Sequence, residues 1–168
     1  MNLLDTPLIR RTRRNHGLEH ATIHLLSAAR PGTPLAGRST PYGFYIYGNV
    51  TPESLTTAAY DALNRLRRGE SRLAIHPGCG TNFLTSGIFS GLAAFAALGV
   101  GSRRDRWSRL PDVLVAATLA LMAAQPVGPM LQEKVTTLAE MGDLSISSVR
   151  KVGSRGGLNV YYVETVSS

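Results

Sequence analysis

All four histidines and the only cysteine of this 168-residue chain fall in two short segments, NHGLEHATIH and HPGCGTN. On a helix, His16, His20 and His24 recur at i, i+4 and i+8, so their side chains share one stripe. Imidazole and thiolate are ligands that Zn²⁺ prefers, and no cluster of acids accompanies them. The sequence therefore predicts a zinc site, with another transition metal as the alternative. Its predicted ligands are His16, His20, His76 and Cys79.

Residues 16–20 also spell H-x-x-E-H, the inverted form of the zincin motif. In enzymes with this motif, two histidines one helical turn apart bind zinc and the glutamate is the base that deprotonates a bound water. Glu19 is therefore the candidate catalytic residue. The alternative is that its carboxylate orients a zinc-binding imidazole. His24 also has two interpretations, as an additional nitrogen ligand or as a polar residue on the helix surface.

Two kinds of zinc site fit these residues. If two or three protein ligands bind the ion, water fills an open position and the chain is a hydrolase or peptidase. In inverted zincins the third ligand is usually a downstream glutamate, and Glu53 and Glu70 are the nearby glutamates. If all four predicted ligands bind, the site is closed and structural. The donor count favours the closed site, which indicates an assembly or interaction factor or a small subunit of a membrane complex. Enzyme status stays open at this point.

Two stretches without charged residues predict insertion into a membrane. Residues 83–101 are mostly apolar and small, and they are long enough to cross the hydrocarbon core. Residues 113–132 are strongly apolar at first and then broken by Pro126 and Pro129. Between them, GSRRDRWSRLPD has the composition of a turn at lipid headgroups. We therefore expect a transmembrane helical hairpin, the alternative being two buried helices of a soluble protein.

The rest of the chain has the pattern of a small α+β unit. Its predicted elements are, in chain order, a helix over 15–29, a loop over 32–42, a strand over 43–50, a helix from Thr51 to Arg68, a strand over 72–75, a helix over 131–142 and a β-hairpin over 143–166. The predicted fold class is α+β with a membrane-embedded two-helix hairpin, in which a small mixed sheet packs with the N-terminal motif helix. The predicted domains are an α/β part with the metal motifs (1–82), the transmembrane hairpin (83–132), and a helix end plus β-hairpin joining the same sheet (133–168).

The pairing of HGLEH with HPGCGTNFL resembles the bacterial YqhQ-like membrane proteins and related families of unknown function. Those families carry an HGxEH helix and an HPxCGT turn just ahead of hydrophobic helices, and the likeness covers roughly the first 100 residues. The resemblance implies a membrane protein with a metal site and supplies no substrate. It places the family signature at His16, Glu19, His20, His76, Cys79, Gly80 and Thr81.

Charge and composition bear on partners and location. A net charge of +7 indicates anionic partners, whereas 17% charged and 43% hydrophobic residues point towards a membrane. The arginine clusters at 10–14 and 65–72 are expected to contact lipid headgroups, and nucleic acid is not expected as a partner. The expected partners are therefore the lipid bilayer and other membrane-protein subunits or further copies of this chain. Because a basic segment without a signal is hard to export, we expect the inner (cytoplasmic) membrane with both termini in the cytoplasm.

Overall fold

The computed structural model describes residues 3–99 and 107–167, and it divides the chain into two compact units. Unit 1 comprises Met1–His76 and Glu133–Ser168, and unit 2 comprises Pro77–Gln132. All four histidines belong to unit 1. Cys79 and the apolar stretches belong to unit 2.

Unit 1 is a four-stranded sheet with two long helices. The helices and strands of this unit are α1 (Pro7–Ala29), β1 (Ala36–Thr40), β2 (Gly43–Tyr47), α2 (Pro52–Arg67), β3 (Ser145–Arg155) and β4 (Leu158–Val166). The strand order is β1-β2-β4-β3, and each neighbouring pair is antiparallel. The α+β class is confirmed, but the expectation of a mixed sheet is wrong, because the parallel β-α-β pairing behind it does not form among the described strands.

Local signals explain why several elements form where the sequence predicts them. Thr51 caps α2 by accepting from the backbone N–H of Ser54, whose hydroxyl accepts from the backbone N–H of Thr51 in return. The β3–β4 turn has Gly156 and Gly157 at φ 58° and 80°, a conformation that suits glycine in a tight hairpin. The predicted α2 helix and β-hairpin are therefore confirmed.

The core of unit 1 lies between the helices and one face of the sheet. It contains Leu18 of α1, Leu55 of α2, Phe44 and Ile46 of β2, and Val163 of β4, all fully buried. Phe44 and Ile46 are two positions apart, as expected for the inward face of a strand. This packing fixes the orientation of α1, the helix that carries three of the four histidines.

Four predicted boundaries need correction. Helix α1 begins at Pro7 rather than residue 15, since proline is well suited to the first helical position. Residues 32–42, expected as a loop, contain β1. The expected strand over 72–75 is a 3₁₀ helix, Ser71–Ala74. The expected helix over 131–142 ends early, as a π-helical turn at Gln132–Thr136.

Unit 2 is built from α3 (Gly80–Gly99), α4 (Leu110–Ala124) and α5 (Val127–Leu131). Helices α3 and α4 pack together, with a hydrogen bond of 3.1 Å from the Ser90 hydroxyl to the carbonyl of Ala117. By length and composition, α3 is able to cross a membrane, whereas α4 qualifies only together with the helical segment Val127–Thr136, from which it is bent by 46°. Among the described residues, one helix is therefore long and apolar enough to span a membrane, and the membrane hairpin stays a proposal. Residues 101–106, the first half of the predicted headgroup turn, lie outside the described residues.

Candidate metal centre

Helix α1 presents His16, His20 and His24 along one side, and each imidazole bonds to a backbone carbonyl. The bonds run from His16 Nδ1 to Thr136 O (2.9 Å), from His20 Nδ1 to Ala74 O (2.7 Å), and from His24 Nε2 to Ile75 O (2.8 Å). A carbonyl oxygen only accepts, so the bonded nitrogen of each ring carries the hydrogen. In the neutral imidazole the lone pair is then on Nε2 of His16 and His20 and on Nδ1 of His24.

His76 extends these three rings into a row of four, which we call the histidine row. The ring centroids are 4.3 Å apart for His16 and His20, 5.7 Å for His20 and His76, and 4.7 Å for His76 and His24. Two imidazoles bound to one tetrahedral zinc through Zn–N bonds of about 2.0–2.1 Å have centroids roughly 5 Å apart. Neighbouring rings in the row are therefore spaced as two ligands of one ion.

The chemistry of the donor set fits a transition metal. The ring nitrogens that His16 and His20 offer lie within 4.8 Å of each other. Metal-binding histidines almost always donate their second ring N–H to a carbonyl, carboxylate or water, which fixes the ring and its tautomer. Three of the four imidazoles have this arrangement with backbone carbonyls. Residues of the row could therefore hold a metal ion.

Electrostatics keep His76 in the form that binds metals. Burial, and secondarily the nearby His24 and His20, lower the pKa of His76 to about 4. At neutral pH its imidazole is therefore uncharged. A metal ion binds the neutral ring without having to displace a proton.

Cys79 immediately precedes α3 in unit 2. Its thiol is buried, and the backbone N–H of Thr81 donates to Sγ at 3.4 Å. Gly80 and Thr81 form the first turn of α3, so the Cys79 thiol lies at the N-terminal end of that helix.

Glu19 lies on α1 next to His20 in sequence, but its carboxylate contacts the strand β1. It is buried, with 4% exposure, and it accepts a hydrogen bond from the Ser39 hydroxyl. Gly37 packs so closely against it that a Cβ there would overlap the carboxylate. The structure therefore holds Glu19 against the sheet. The sequence pattern gives no signal for Gly37 and Ser39, because it predicts a loop where β1 forms.

Glu70 and several arginines of the two clusters have partners within unit 1. Glu70 accepts two hydrogen bonds from Arg65, at 2.6 and 2.8 Å, and this pairing lowers the pKa of Glu70. Glu53 is exposed in the first turn of α2. Arg14 is buried and bonds to Asp143 at 3.1 Å and to the carbonyl of Glu140 at 2.9 Å. Arg14 therefore anchors the chain that leads into β3.

The three carbonyl groups that orient the imidazoles could not be predicted from the sequence either. Ala74, Ile75 and Thr136 contribute through their backbones, so their side chains gave no signal. The clustering of histidines at the start of the chain and at His76 was the available signal, and the structure brings those four residues together.

The fold and these residues define a small α+β protein with a row of histidines and one helix suited to a membrane. Residues 11–149 match the family described as Domain of unknown function (DUF6391), and the chain belongs to that family. It is 33% identical over 161 residues to an uncharacterised protein of Picosynechococcus sp. (strain ATCC 27264 / PCC 7002 / PR-6), a match that covers 90% of this chain and 77% of the relative. No solved structure matches. These findings support a family of unknown function and do not confirm the YqhQ-like resemblance or its motifs.

Proposed function

We propose that this chain is a membrane-anchored zinc protein with a closed, structural site, and that it acts as an assembly factor or a subunit of a membrane complex. The proposed ligands are His16, His20, His76 and Cys79. The observation that carries the proposal is the histidine row, in which carbonyl bonds fix three rings. Such orientation through the second ring nitrogen is typical of metal ligands and is not needed for a polar surface.

Cys79 enters the proposal through its place in the chain. It follows His76 by three residues, and three residues of extended chain span at most about 11 Å between Cα atoms. A thiol with so short a tether to a row member is well suited to complete a four-coordinate zinc site. Three imidazoles and one thiolate form a Cys-His₃ donor set, which leaves no position for a reactive water.

The setting of Glu19 supports a structural site over a hydrolytic one. A general base must be within hydrogen-bond reach of the water that it deprotonates. The Glu19 carboxylate is instead buried against β1, where Ser39 donates to it. We therefore assign Glu19 to the attachment of α1 to the sheet.

The membrane part of the proposal follows from the surface of α3. Its large apolar side chains are exposed, including Phe83 at 70%, Leu92 at 65% and Phe95 at 78%. A contiguous apolar surface of this kind is expected to contact lipid, and 20 helical residues span about 30 Å, the thickness of the hydrocarbon core. We propose that α3 crosses the inner membrane, that α4 and α5 return as the second, bent arm, and that both termini are cytoplasmic.

The metal proposal is tested by elemental analysis of detergent-purified protein. We expect about one zinc per chain in the wild type. The His20→Asn and Cys79→Ser variants should lose it, and His24→Asn is the matched histidine control that should retain it. Cobalt substitution should give a thiolate-to-cobalt charge-transfer band that Cys79→Ser abolishes. A wild type without metal would refute the proposal, and a band that survives Cys79→Ser would remove Cys79 from the site.

The Glu19→Gln variant distinguishes the hydrolase alternative from the structural proposal. The variant should retain zinc in either case. If the wild type shows zinc-dependent ester or peptide hydrolysis and Glu19 is the base, Glu19→Gln should abolish this activity. An unchanged rate would exclude that role. Under the structural proposal, zinc content and melting temperature respond to the ligand variants and no hydrolysis accompanies them.

Membrane insertion is tested by alkaline extraction of cell membranes and by reporter fusions. We expect the chain to stay in the membrane fraction at high pH. A reporter that works only outside the cytoplasm should be active when inserted between α3 and α4. A reporter that works only in the cytoplasm should be active at the C-terminus. Release by alkali would contradict insertion, and the reverse reporter pattern would invert the topology.

A further inference from the structure

We propose that His24 and His76 form a second metal position, which shares His76 with the zinc site and through which the ion is loaded. The position would take the same class of ligand, a divalent transition-metal ion. This inference rests on the proposed function for the inner site formed by His16, His20, His76 and Cys79. It assigns a role to the one histidine that the closed site does not use.

The geometry of His24 and His76 suits a shared ion. Their ring centroids are 4.7 Å apart, close to the roughly 5 Å expected for two imidazoles on one tetrahedral ion. His76 is also 5.7 Å from His20, so its ring lies between the other two along the row. A single imidazole is therefore within reach of both positions.

The hydrogen bonds of the row separate the two positions. His20 donates from Nδ1 to Ala74, which places its lone pair on Nε2, the far side of the ring. His24 donates from Nε2 to Ile75, which places its lone pair on Nδ1, next to its own Cβ. An ion on His24 must therefore lie closer to the α1 backbone than an ion on His20. Since a closed zinc site takes four ligands, the additional nitrogen is better explained by a separate position than by a fifth ligand.

The difference in burial between His20 and the pair His24 and His76 indicates the direction in which the metal ion moves. His20 is 2% exposed, whereas His24 and His76 are half-buried. An ion on the latter pair can keep water ligands in its remaining positions, as open metal sites do. It can then exchange water for the inner ligands while His76 stays bound. The outer pair therefore acts as the entry position.

The test is a titration of metal-free, full-length protein in detergent with Co²⁺, followed by calorimetry and by the thiolate band. We expect the wild type to bind one ion tightly with the band, because the single lone pair of neutral His76 serves one ion at a time. His24→Asn should bind this ion as tightly and should fill the site more slowly. His20→Asn should lose the tight event and show a binding event at least about tenfold weaker and without the band, which the double variant His20→Asn/His24→Asn should lose.

The outcomes separate this inference from the proposed function. A wild type that binds no cobalt overturns both. A tight event with the thiolate band whose filling rate is unchanged in His24→Asn overturns the second position alone. Loss of the tight event in His24→Asn also overturns it, because His24 would then be a ligand of the inner site. Circular dichroism checks folding, and if His20→Asn does not fold, the comparison of wild type with His24→Asn decides.

Discussion

Removal of the metal should lower the stability of unit 1 without unfolding it. An ion that binds only the folded state stabilises it by about 4 kcal/mol when its free concentration is a thousandfold above Kd. For a unit of this size, each kcal/mol shifts the melting temperature by about 4 °C. We therefore expect chelation to lower the melting temperature of the zinc-loaded protein by about 15 °C.

The metal-free protein should stay folded because its core does not depend on the ion. The core residues of α1, α2 and the sheet are buried among themselves. The carbonyl bonds of His16, His20 and His24 join groups of the protein itself, so we expect them to remain when the metal is removed. This differs from small zinc fingers, which are unfolded without zinc because they have little other core.

The assay is a thermal melt in detergent, followed by circular dichroism, with zinc-loaded, chelated and zinc-restored samples and with Mg²⁺ addition as the control. Zinc should restore the melting temperature and Mg²⁺ should not. An unchanged melting temperature after proven loss of zinc would refute the structural role of the ion. A metal-free protein unfolded at 25 °C would refute the argument that the core is independent.

Three further predictions concern other parts of the structure. Asn15 is fully buried, donates to the carbonyl of Thr40 at 2.9 Å and accepts from the Thr165 hydroxyl at 2.7 Å, so Asn15→Ala should cost about 2–4 kcal/mol in urea denaturation; a loss below about 0.5 kcal/mol would contradict this. In metal-free protein the folded pKa of His76, about 4, lies below its ordinary value of 6.5, so the unfolded state binds more protons between these values and stability is lost as pH falls from 6.5 towards 4. Because the ring is half-buried, solvent screening limits the loss to about 1 kcal/mol, and His76→Asn should remove it in melts across this range. Leu92→Lys should reduce membrane insertion by about 2.5–3.5 kcal/mol in an insertion assay, whereas Leu92→Ala should be tolerated; equal insertion of both would argue against a span.

The parts of the fold that sequence could predict are those with strong local signals. Thr51 and Pro52 mark the start of α2, because the cap and the proline each satisfy a requirement of the first helical turn. Gly156 and Gly157 mark the hairpin turn, since both adopt positive φ. The histidine stripe follows from helical periodicity alone. None of these predictions needed knowledge of distant contacts.

Strand β1 could not be predicted, because its stability comes from its neighbours. Its sequence, AGRST, has no alternation of apolar and polar residues and no large apolar side chain. It forms because β2 supplies a hydrogen-bonding edge, with Arg38 opposite Tyr45 and Thr40 opposite Gly43. Ser39 of the same strand donates a hydrogen bond to the Glu19 carboxylate. The environment of the candidate base was therefore hidden together with the strand.

The failed strand prediction at residues 72–75 and the orientation of the histidine row have one physical cause. The carbonyl groups of Ala74 and Ile75 are directed at α1, where they accept hydrogen bonds from His20 and His24. The next residue, His76, places its own ring within 5.7 Å of the first of these imidazoles and 4.7 Å of the second. Three consecutive residues thus build this part of the row: the carbonyl groups of Ala74 and Ile75 orient two imidazoles, and His76 adds its own ring. In a strand paired within a sheet, these carbonyl groups would instead bond to the neighbouring strands. Because both partners of the bonds to His20 and His24 belong to the protein, the fold itself orients the row and reduces the ordering cost of binding a metal.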